Sequence, residues 1–423
     1  MKILIIGNGA REHAISWTLF NSPSNHDIFV SPGNAGTNQF VKNIEIDSNN
    51  IPGLLDFAKS LPVDLTIVGP EIPLSNGIVD EFQKYELPIF GPSAKASMIE
   101  SSKSYAKRIM TSAGVPTAKS QVFTSQSKIT EFLTNCSAPV VIKADGLAAG
   151  KGVIIAQSKA EIDNAIKEMF VNRSFGEASD KVLVEEFLEG NEISVFGFVD
   201  GEKVSSLVPA CDYKKIFEND LGPNTGGMGA YSPPPIWSKQ LENSIRETIF
   251  LPVAKELVNN QNPYKGLLYA GLMITKNGPM VIEFNCRFGD PEAQVILPRM
   301  KSDLAKLCLD IANGNLIQNQ PIEWDPDPAV TVVIASGGYP ENYTIGHEIS
   351  GLKESTNQVM VFHAGTELNQ DGKIVTSGGR VLSITAKGSS FESARNLAYK
   401  EIESINFKNA YYRTDIASKI LEG

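Results

Sequence analysis

The segment Met280-Val-Ile-Glu-Phe-Asn-Cys286 alternates apolar and polar side chains. On a strand, the period of two puts Val281, Glu283 and Asn285 on one face and Ile282, Phe284 and Cys286 on the other. A carboxylate and an amide oxygen two residues apart on a rigid strand suit Mg²⁺, which takes carboxylate, water and phosphate oxygens. Arg287-Phe-Gly-Asp290-Pro-Glu292 follows at once and adds three charges in a turn stiffened by glycine and proline. That density of charge sets the segment apart from a half-exposed strand whose polar face only meets water.

Three glycine-rich segments extend the chemistry. Gly146-Leu-Ala-Ala-Gly150-Lys151-Gly152 is not a Walker A loop. Three residues separate its first two glycines instead of four, and Gly152 stands where Ser or Thr would hold magnesium. It joins two predicted strands, 139–144 and 152–156, so it reads as a hairpin tip able to close over phosphates with its backbone N–H groups. Lys143 and Lys151 flank it with positive charge. Pro223-Asn-Thr-Gly-Gly-Met-Gly-Ala-Tyr231 reads as a loop that approaches a small polar ligand closely. Gly7-x-Gly9 after a strand invites a dinucleotide reading, but Glu12 occupies the third glycine position. The second strand also runs into Val30-Ser31-Pro32-Gly33 without the acid a ribose needs. By itself this loop reads equally as an anion-facing turn and as a tight strand–helix turn.

The elements that must position these residues follow from periodicity. Strands are predicted at 2–6, 27–30, 64–68 and 88–90, alternating with a helix that follows the Gly7–His13 segment and runs through Phe20 and with helices at 54–59, 73–85 and 93–113. That alternation predicts a parallel sheet covered by helices over residues 1–102. The middle, 103–325, reads as α+β with a small lobe at about 120–190. Its strands are 139–144 with 152–156, 182–186 with 192–198, and 266–274 with 280–286 around the turn signal Asn277-Gly278. Ser158 and Glu161 have capping-box spacing at a helix start. After the linker Glu323-Trp-Asp-Pro-Asp-Pro328, the tail 326–423 carries strands at 330–336, 359–363 and 380–386 and a helix at 391–405, a small mixed domain.

The 423 residues suffice to bury a core without disulfides or a structural metal. Lys and Arg number 38 against 48 Asp and Glu, a net charge of −10, which argues against general nucleic-acid binding. Cys136, Cys211, Cys286 and Cys308 form no metal clip, and His13, His26, His347 and His363 are scattered. No signal segment and no membrane span is expected, so the reading is a cytoplasmic protein of a reducing compartment.

Taken together, these motifs resemble the phosphoribosylamine–glycine ligases of the ATP-grasp superfamily. The resemblance runs end to end. It covers Gly7-Asn-Gly-x-Arg-Glu-His13, Ser31-Pro-Gly-Asn-Ala-Gly36, Val68-Gly-Pro-Glu71, Lys143-Ala-Asp-Gly-Leu-Ala-Ala-Gly-Lys-Gly152, the 223–231 segment and Glu283-Phe-Asn-Cys-Arg-Phe-Gly-Asp-Pro-Glu292. It implies an ATP-grasp middle domain with a flap lobe. It also implies ATP-dependent joining of glycine to 5-phosphoribosylamine through glycyl phosphate, in purine biosynthesis, with Mg²⁺ or Mn²⁺. Arg287, Lys143 and Asp290 then look catalytic, and Glu283 and Asn285 look like the metal ligands. Lys103, Lys143, Gly150, Lys151 and Gly152 look like the phosphate-binding set. Glu185, Glu186, Phe187 and Leu188 look like the adenine hinge, with Glu192 on the ribose. Gly9, Arg11, Glu12, Asn34, Ala35 and Gly36 look like the phosphoribosylamine site. Asn224, Thr225, Gly226 and Gly227 look like the glycine loop, with Asp212 on the glycine ammonium. The implied partners are these small molecules alone, for a monomer that binds neither nucleic acid nor membrane.

Two departures stand out. The strand Tyr269-Ala-Gly-Leu-Met-Ile274 lacks the further acidic metal ligand of many ATP-grasp enzymes. Cys211-Asp-Tyr-Lys-Lys215 differs from a His-Lys-Arg form, so no role passes to Tyr213 or Lys215. The alternatives are an ATP-grasp ligase for another carboxylate and amine, a nicotinamide enzyme, and a non-catalytic nucleotide binder.

Overall fold

The computed structural model describes residues 1–134, 136–147 and 152–421. The N-terminal strands form a five-stranded sheet, ordered Lys42–Asn43, Asp27–Pro32, Lys2–Gly7, Leu65–Val68 and Ile89–Phe90. Every pairing is parallel. Lys2–Gly7 is central because the chain first winds to one side of it and then to the other. The crevice beyond its carboxyl end is therefore the topological switch point where open α/β sheets place ligands.

Two of the predicted helices are broken, each for a local reason. Residues 73–85 divide into Glu71–Ser75 and Ile78–Gln83 because Gly77 adopts φ of 85°. Residues 93–113 divide into Ala94–Ser101 and Lys103–Ser112 because Ser102 turns extended, at φ −136° and ψ 107°. Its hydroxyl accepts the Tyr105 N–H at 3.2 Å, a helix N-cap. The break matters, because it starts a new helix at Lys103 and places Lys107 one turn on, on the same face.

The small lobe is a four-stranded sheet, ordered Ser120–Phe123, Val182–Glu186, Val140–Ala144 and Val153–Ala156. It has its own core of Ile142, Ile162, Met169 and Val184. Strand 182–186 was expected to pair with the strand near 192. Instead Asn191–Asp200 enters a different, ten-stranded sheet. The Glu189-Gly190 turn is thus a crossing between lobes and not a hairpin.

The main path of that large sheet runs Gly278–Asn285, Lys265–Thr275, Asn191–Asp200, Val208–Asp212, Gly229–Ser232, Ala329–Ser336, Arg380–Lys387 and Val359–His363. The tail's strands therefore continue the middle sheet, through Gly229–Ser232, which pairs on both sides. This corrects the reading of all of 223–231 as a loop, since its end is a strand and Met228 and Ala230 are fully buried. The helix Ala10–Phe20 packs on Val359–His363, and the His13 Nδ1 accepts the His363 backbone N–H at 2.9 Å.

All four cysteines are free, three of them buried. Among the described residues no helix is long and apolar enough to cross a membrane.

Candidate active site

A cavity of about 350 Å³ lies where the small lobe, the edge of the large sheet and the N-terminal domain meet. At one end stand lysines. Lys143, from strand Val140–Ala144, is almost fully buried; its Nζ reaches Glu185 Oε2 at 2.8 Å and the Ile282 carbonyl at 3.2 Å. Lys107 meets the other oxygen of Glu185 at 3.2 Å and donates to Thr117 Oγ1 at 2.7 Å. Lys103 donates to the Gly146 carbonyl at 2.9 Å. Burial holds both Lys103 and Lys107 below the usual lysine range, opposed by Glu283 for the first and Glu185 for the second. Asp145 ties the root of the flap to the start of this helix by accepting the Ser104 N–H at 3.0 Å. Gly152 lines the cavity; Gly150 and Lys151 lie outside the described residues.

Glu283 and Asn285 both face the same cavity. Val281 does not share their face, against the simple alternation. Gly271 pairs with Glu283 and Leu272 with Val281, so Ile282 is an extra residue, a β-bulge. The bulge sends Val281 into the core with Phe284 and turns the Ile282 carbonyl toward Lys143.

At the other end, arginines meet acids. Arg287 contacts Glu100 at 3.0 Å and Glu71 at 3.3 Å. Burial disfavours its charge, but Glu100 and Glu71 outweigh that and raise it above the ordinary value. Burial raises the Glu100 carboxyl; on Glu71, Arg287 and Arg11 overcome burial and lower it. Asp290 pairs with Arg380 at 3.2 Å and accepts from Gln294 at 2.8 Å. Burial works against its charge, and Arg380 and Arg11 keep it below the usual carboxylate range. Arg11 donates to Glu12 at 2.6 Å and to the Phe288 carbonyl at 3.2 Å.

Between the ends, Thr225 and Gly226 line the cavity, whereas Asn224 pairs with Lys215 and Gly227 packs on Pro291. Asp212 lines it as well, 3.2 Å from Lys214, which also pairs with Glu192. Burial pushes the Asp212 carboxyl up, Lys214 opposing and Glu292 reinforcing. Glu186 ends the small-lobe strand and accepts the Lys119 N–H at 2.9 Å. Phe187 and Leu188 follow it, half-buried, in the crossing between lobes.

Part of the expected phosphoribosylamine set also braces the scaffold. Glu12 is 1% exposed and caps the Gly9 N–H at 2.7 Å. A Cβ at Gly69 would sit 1.9 Å from its carboxylate, so Glu12 fills the space beneath the switch-point crevice. The Asn34 amide donates to the Asn8 carbonyl at 2.9 Å and the His363 carbonyl at 2.8 Å. Its oxygen accepts the Gly36 and Thr37 N–H groups at 2.9 and 3.0 Å. All its hydrogen-bonding capacity is used, so its side chain holds the loop and has nothing left for a ligand. Ala35 is buried, and Gly36 lies against His13 and His363, where a Cβ would clash at 2.5 Å. Arg11 and Gly9 remain at the crevice, Gly9 beside Asp290.

Three family models of phosphoribosylglycinamide synthetase match this chain. They are the N domain over residues 1–100, the ATP-grasp (A) domain over 101–293 and the C domain over 329–419. The chain belongs to this family. It is similar to a phosphoribosylamine–glycine ligase of Caldanaerobacter subterraneus, 49% identical over 418 residues, covering 99% of this chain and 100% of that protein. The ligase of Escherichia coli K12 is 46% identical over 426 residues, covering 100% and 99%. The crystal structure of the Thermotoga maritima ligase superposes with a TM-score of 0.85 at 33% identity, covering 99% and 100%. A biotin carboxylase of Campylobacter jejuni shares the fold, with TM-score 0.75 at 15% identity over 100% and 95% of the two chains.

For this family member, sequence reasoning missed Lys107, Lys214, Glu71, Glu100, Glu292 and Arg380, all of which line the cavity. Glu71 and Glu292 sat inside motifs already singled out, and only their role escaped notice. Lys107 was findable once a helix was placed at Lys103, four residues earlier on one face. Glu100 and Arg380 carry no local signal.

Proposed function

We propose that this protein joins glycine to 5-phosphoribosylamine at the expense of ATP, giving glycinamide ribonucleotide, ADP and phosphate by way of glycyl phosphate. The observation that carries the reading is the union, in one cavity, of a lysine-rich end with an end where arginines and acids are matched, in a chain of this family. The lysine-rich end suits the triphosphate. Lys103 and Lys143 stand ready for phosphate oxygens, and Lys107 holds Glu185 beside Lys143. The 185–188 stretch offers backbone groups to adenine, and Glu192 its carboxylate to the ribose.

Glu283 and Asn285 fit a magnesium or manganese ion, because both donors are oxygens and both face the cavity beside the lysines. No group of three or more His, Cys, Asp or Glu suited to a metal occurs among the described residues, so phosphate and water oxygens would complete the shell. Bound there, the ion supplies charge neutralisation to the polyphosphate.

The reaction then needs a carboxylate held in line with the terminal phosphorus. Arg287, fixed by Glu71 and Glu100, stands beside Asn285 to orient it, and Asp212 receives the ammonium, with Glu292 deepening the negative field. Attack by the glycine carboxylate releases ADP. The amine of phosphoribosylamine then displaces phosphate, and Asp290, kept ionised beside Gly9, takes its proton. Arg11, near the start of the first helix, faces the sugar phosphate. The flap rooted at Asp145 keeps water from the acyl phosphate. We further propose a cytoplasmic monomer.

The test is ADP release with ATP and magnesium, omitting glycine or phosphoribosylamine in turn, the amine being made in situ from ribose 5-phosphate and ammonia. Release that requires both supports the reading. ATP turnover without either, or none at all, overturns it in favour of another carboxylate and amine.

A further inference from the structure

Arg380 opens the strand Arg380–Lys387, in the tail's part of the large sheet, yet its guanidinium lines the cavity. Its Nη1 donates to the Gly226 carbonyl at 2.5 Å and to the Asp290 carbonyl at 2.9 Å. Its Nη2 pairs with the Asp290 carboxylate at 3.2 Å. A second tail side chain completes the grip, since the Tyr339 hydroxyl accepts the Gly226 N–H at 2.9 Å. Both backbone groups of Gly226 are therefore held by residues more than 100 positions away. The fit is close: a Cβ at Gly226 would lie 2.9 Å from Arg380 Cζ, and one at Gly227, at φ +110°, would lie 2.4 Å from Pro291.

A planar fork that spans two backbone carbonyls and one carboxylate fixes direction as well as charge, which an ammonium cannot do. We propose that Arg380 and Tyr339 are positioning residues. Through them the tail holds the Gly226 loop and Asp290 in register with each other, and so completes the glycine end of the site. This rests on the glycine-ligase reading above.

The experiment compares the full-length protein with Arg380→Met, Arg380→Lys and Tyr339→Phe. It measures kcat and KM for each substrate, the affinity for a non-hydrolysable ATP analogue, and the thermal midpoint. Arg380→Met is expected to lower kcat roughly 10²-fold and to raise the KM for glycine, with the ATP-analogue affinity within about twofold. Arg380→Lys should recover part of kcat by restoring charge beside Asp290. Tyr339→Phe, which changes packing least, should raise the KM for glycine a few-fold at an unchanged thermal midpoint. Wild-type kcat and glycine KM in both Arg380→Met and Tyr339→Phe would overturn the inference. So would a parallel fall in ATP-analogue affinity and thermal midpoint, which marks a bracing role only. Wild-type protein that releases no ADP with glycine and amine present overturns the ligase reading and takes this inference with it; normal wild-type turnover with unaffected variants overturns the inference alone.

Discussion

The two ends of the cavity hold charge in opposite ways. At the small-lobe end, Lys107 and Lys143 share one carboxylate, Glu185, and Lys103 rests on a neutral carbonyl. At the N-terminal end each arginine has an acid at hand: Arg11 has Glu12, Arg287 has Glu71 and Glu100, and Arg380 has Asp290. At one end the lysines outnumber the carboxylates in direct contact with them, which leaves N–H donors for an incoming polyanion. The other is already matched, so what it offers a ligand is direction. That division suits a reaction in which a triphosphate must be held by charge and a small zwitterion by geometry.

The comparison can be broken in order of expected effect. Glu283→Ala should cost the most, roughly 10³-fold or more in turnover with the fold retained, because it removes the single acid among the two expected metal ligands. Near-normal rates at saturating magnesium, with unchanged circular dichroism, would show that the lysine end works without it. Lys143→Met should follow at about 10²-fold in kcat, with a raised KM for ATP and little change in KM for glycine. If the glycine KM moves instead, the two ends are not separate in function. Arg11→Ala tests the matched end, and should raise the KM for phosphoribosylamine about tenfold while leaving ATP within twofold. An unchanged KM for the amine would remove Arg11 from that site.

The mildest effect lies outside both ends, at the buried His13 and His363. Burial lowers both, His363 to about 4. The unfolded chain protonates near the ordinary 6.5 while the folded chain resists, so stability falls as pH drops from about 6.5, and the His363 share of the loss levels off below about 4. For His363 that cost should be about 1 kcal/mol by pH 6, read from urea midpoints. A His363→Gln variant with the same pH slope would assign the effect elsewhere.

The readable parts of this molecule are those encoded over short distances. The strand pair around 146–152 and the hairpin at Asn277-Gly278 follow from alternation and turn residues, and both pairs are present, with Glu283 and Asn285 at the cavity. The parallel N-terminal sheet was legible for the same reason. What escaped is long-range or competes with a local rule. Ser102 reads as mid-helix by propensity, but as an N-cap it serves Lys103 and Lys107 better. The 182–186 and 191–200 strands look like a hairpin because a glycine turn joins them, yet their apolar faces belong to different cores. Glu100 and Arg380 meet their partners across 187 and 90 residues respectively, where no periodicity reaches. Asn34 and Glu12 sit in the motif that drew notice, and their side chains hold the loop itself, a use that the motif alone does not announce.

The bulge at Ile282 has a consequence for anyone who would redesign this strand. Deleting that one residue would give a tidier ladder, with Val281 still facing the core and Glu283 still facing the cavity. Every rule of strand idealisation recommends the deletion. Yet the surplus residue is the one whose carbonyl receives Lys143, so regularity along the backbone and anchorage of the lysine cannot both be had. An irregularity of one residue is here a fitting, cut to the length of a single side chain.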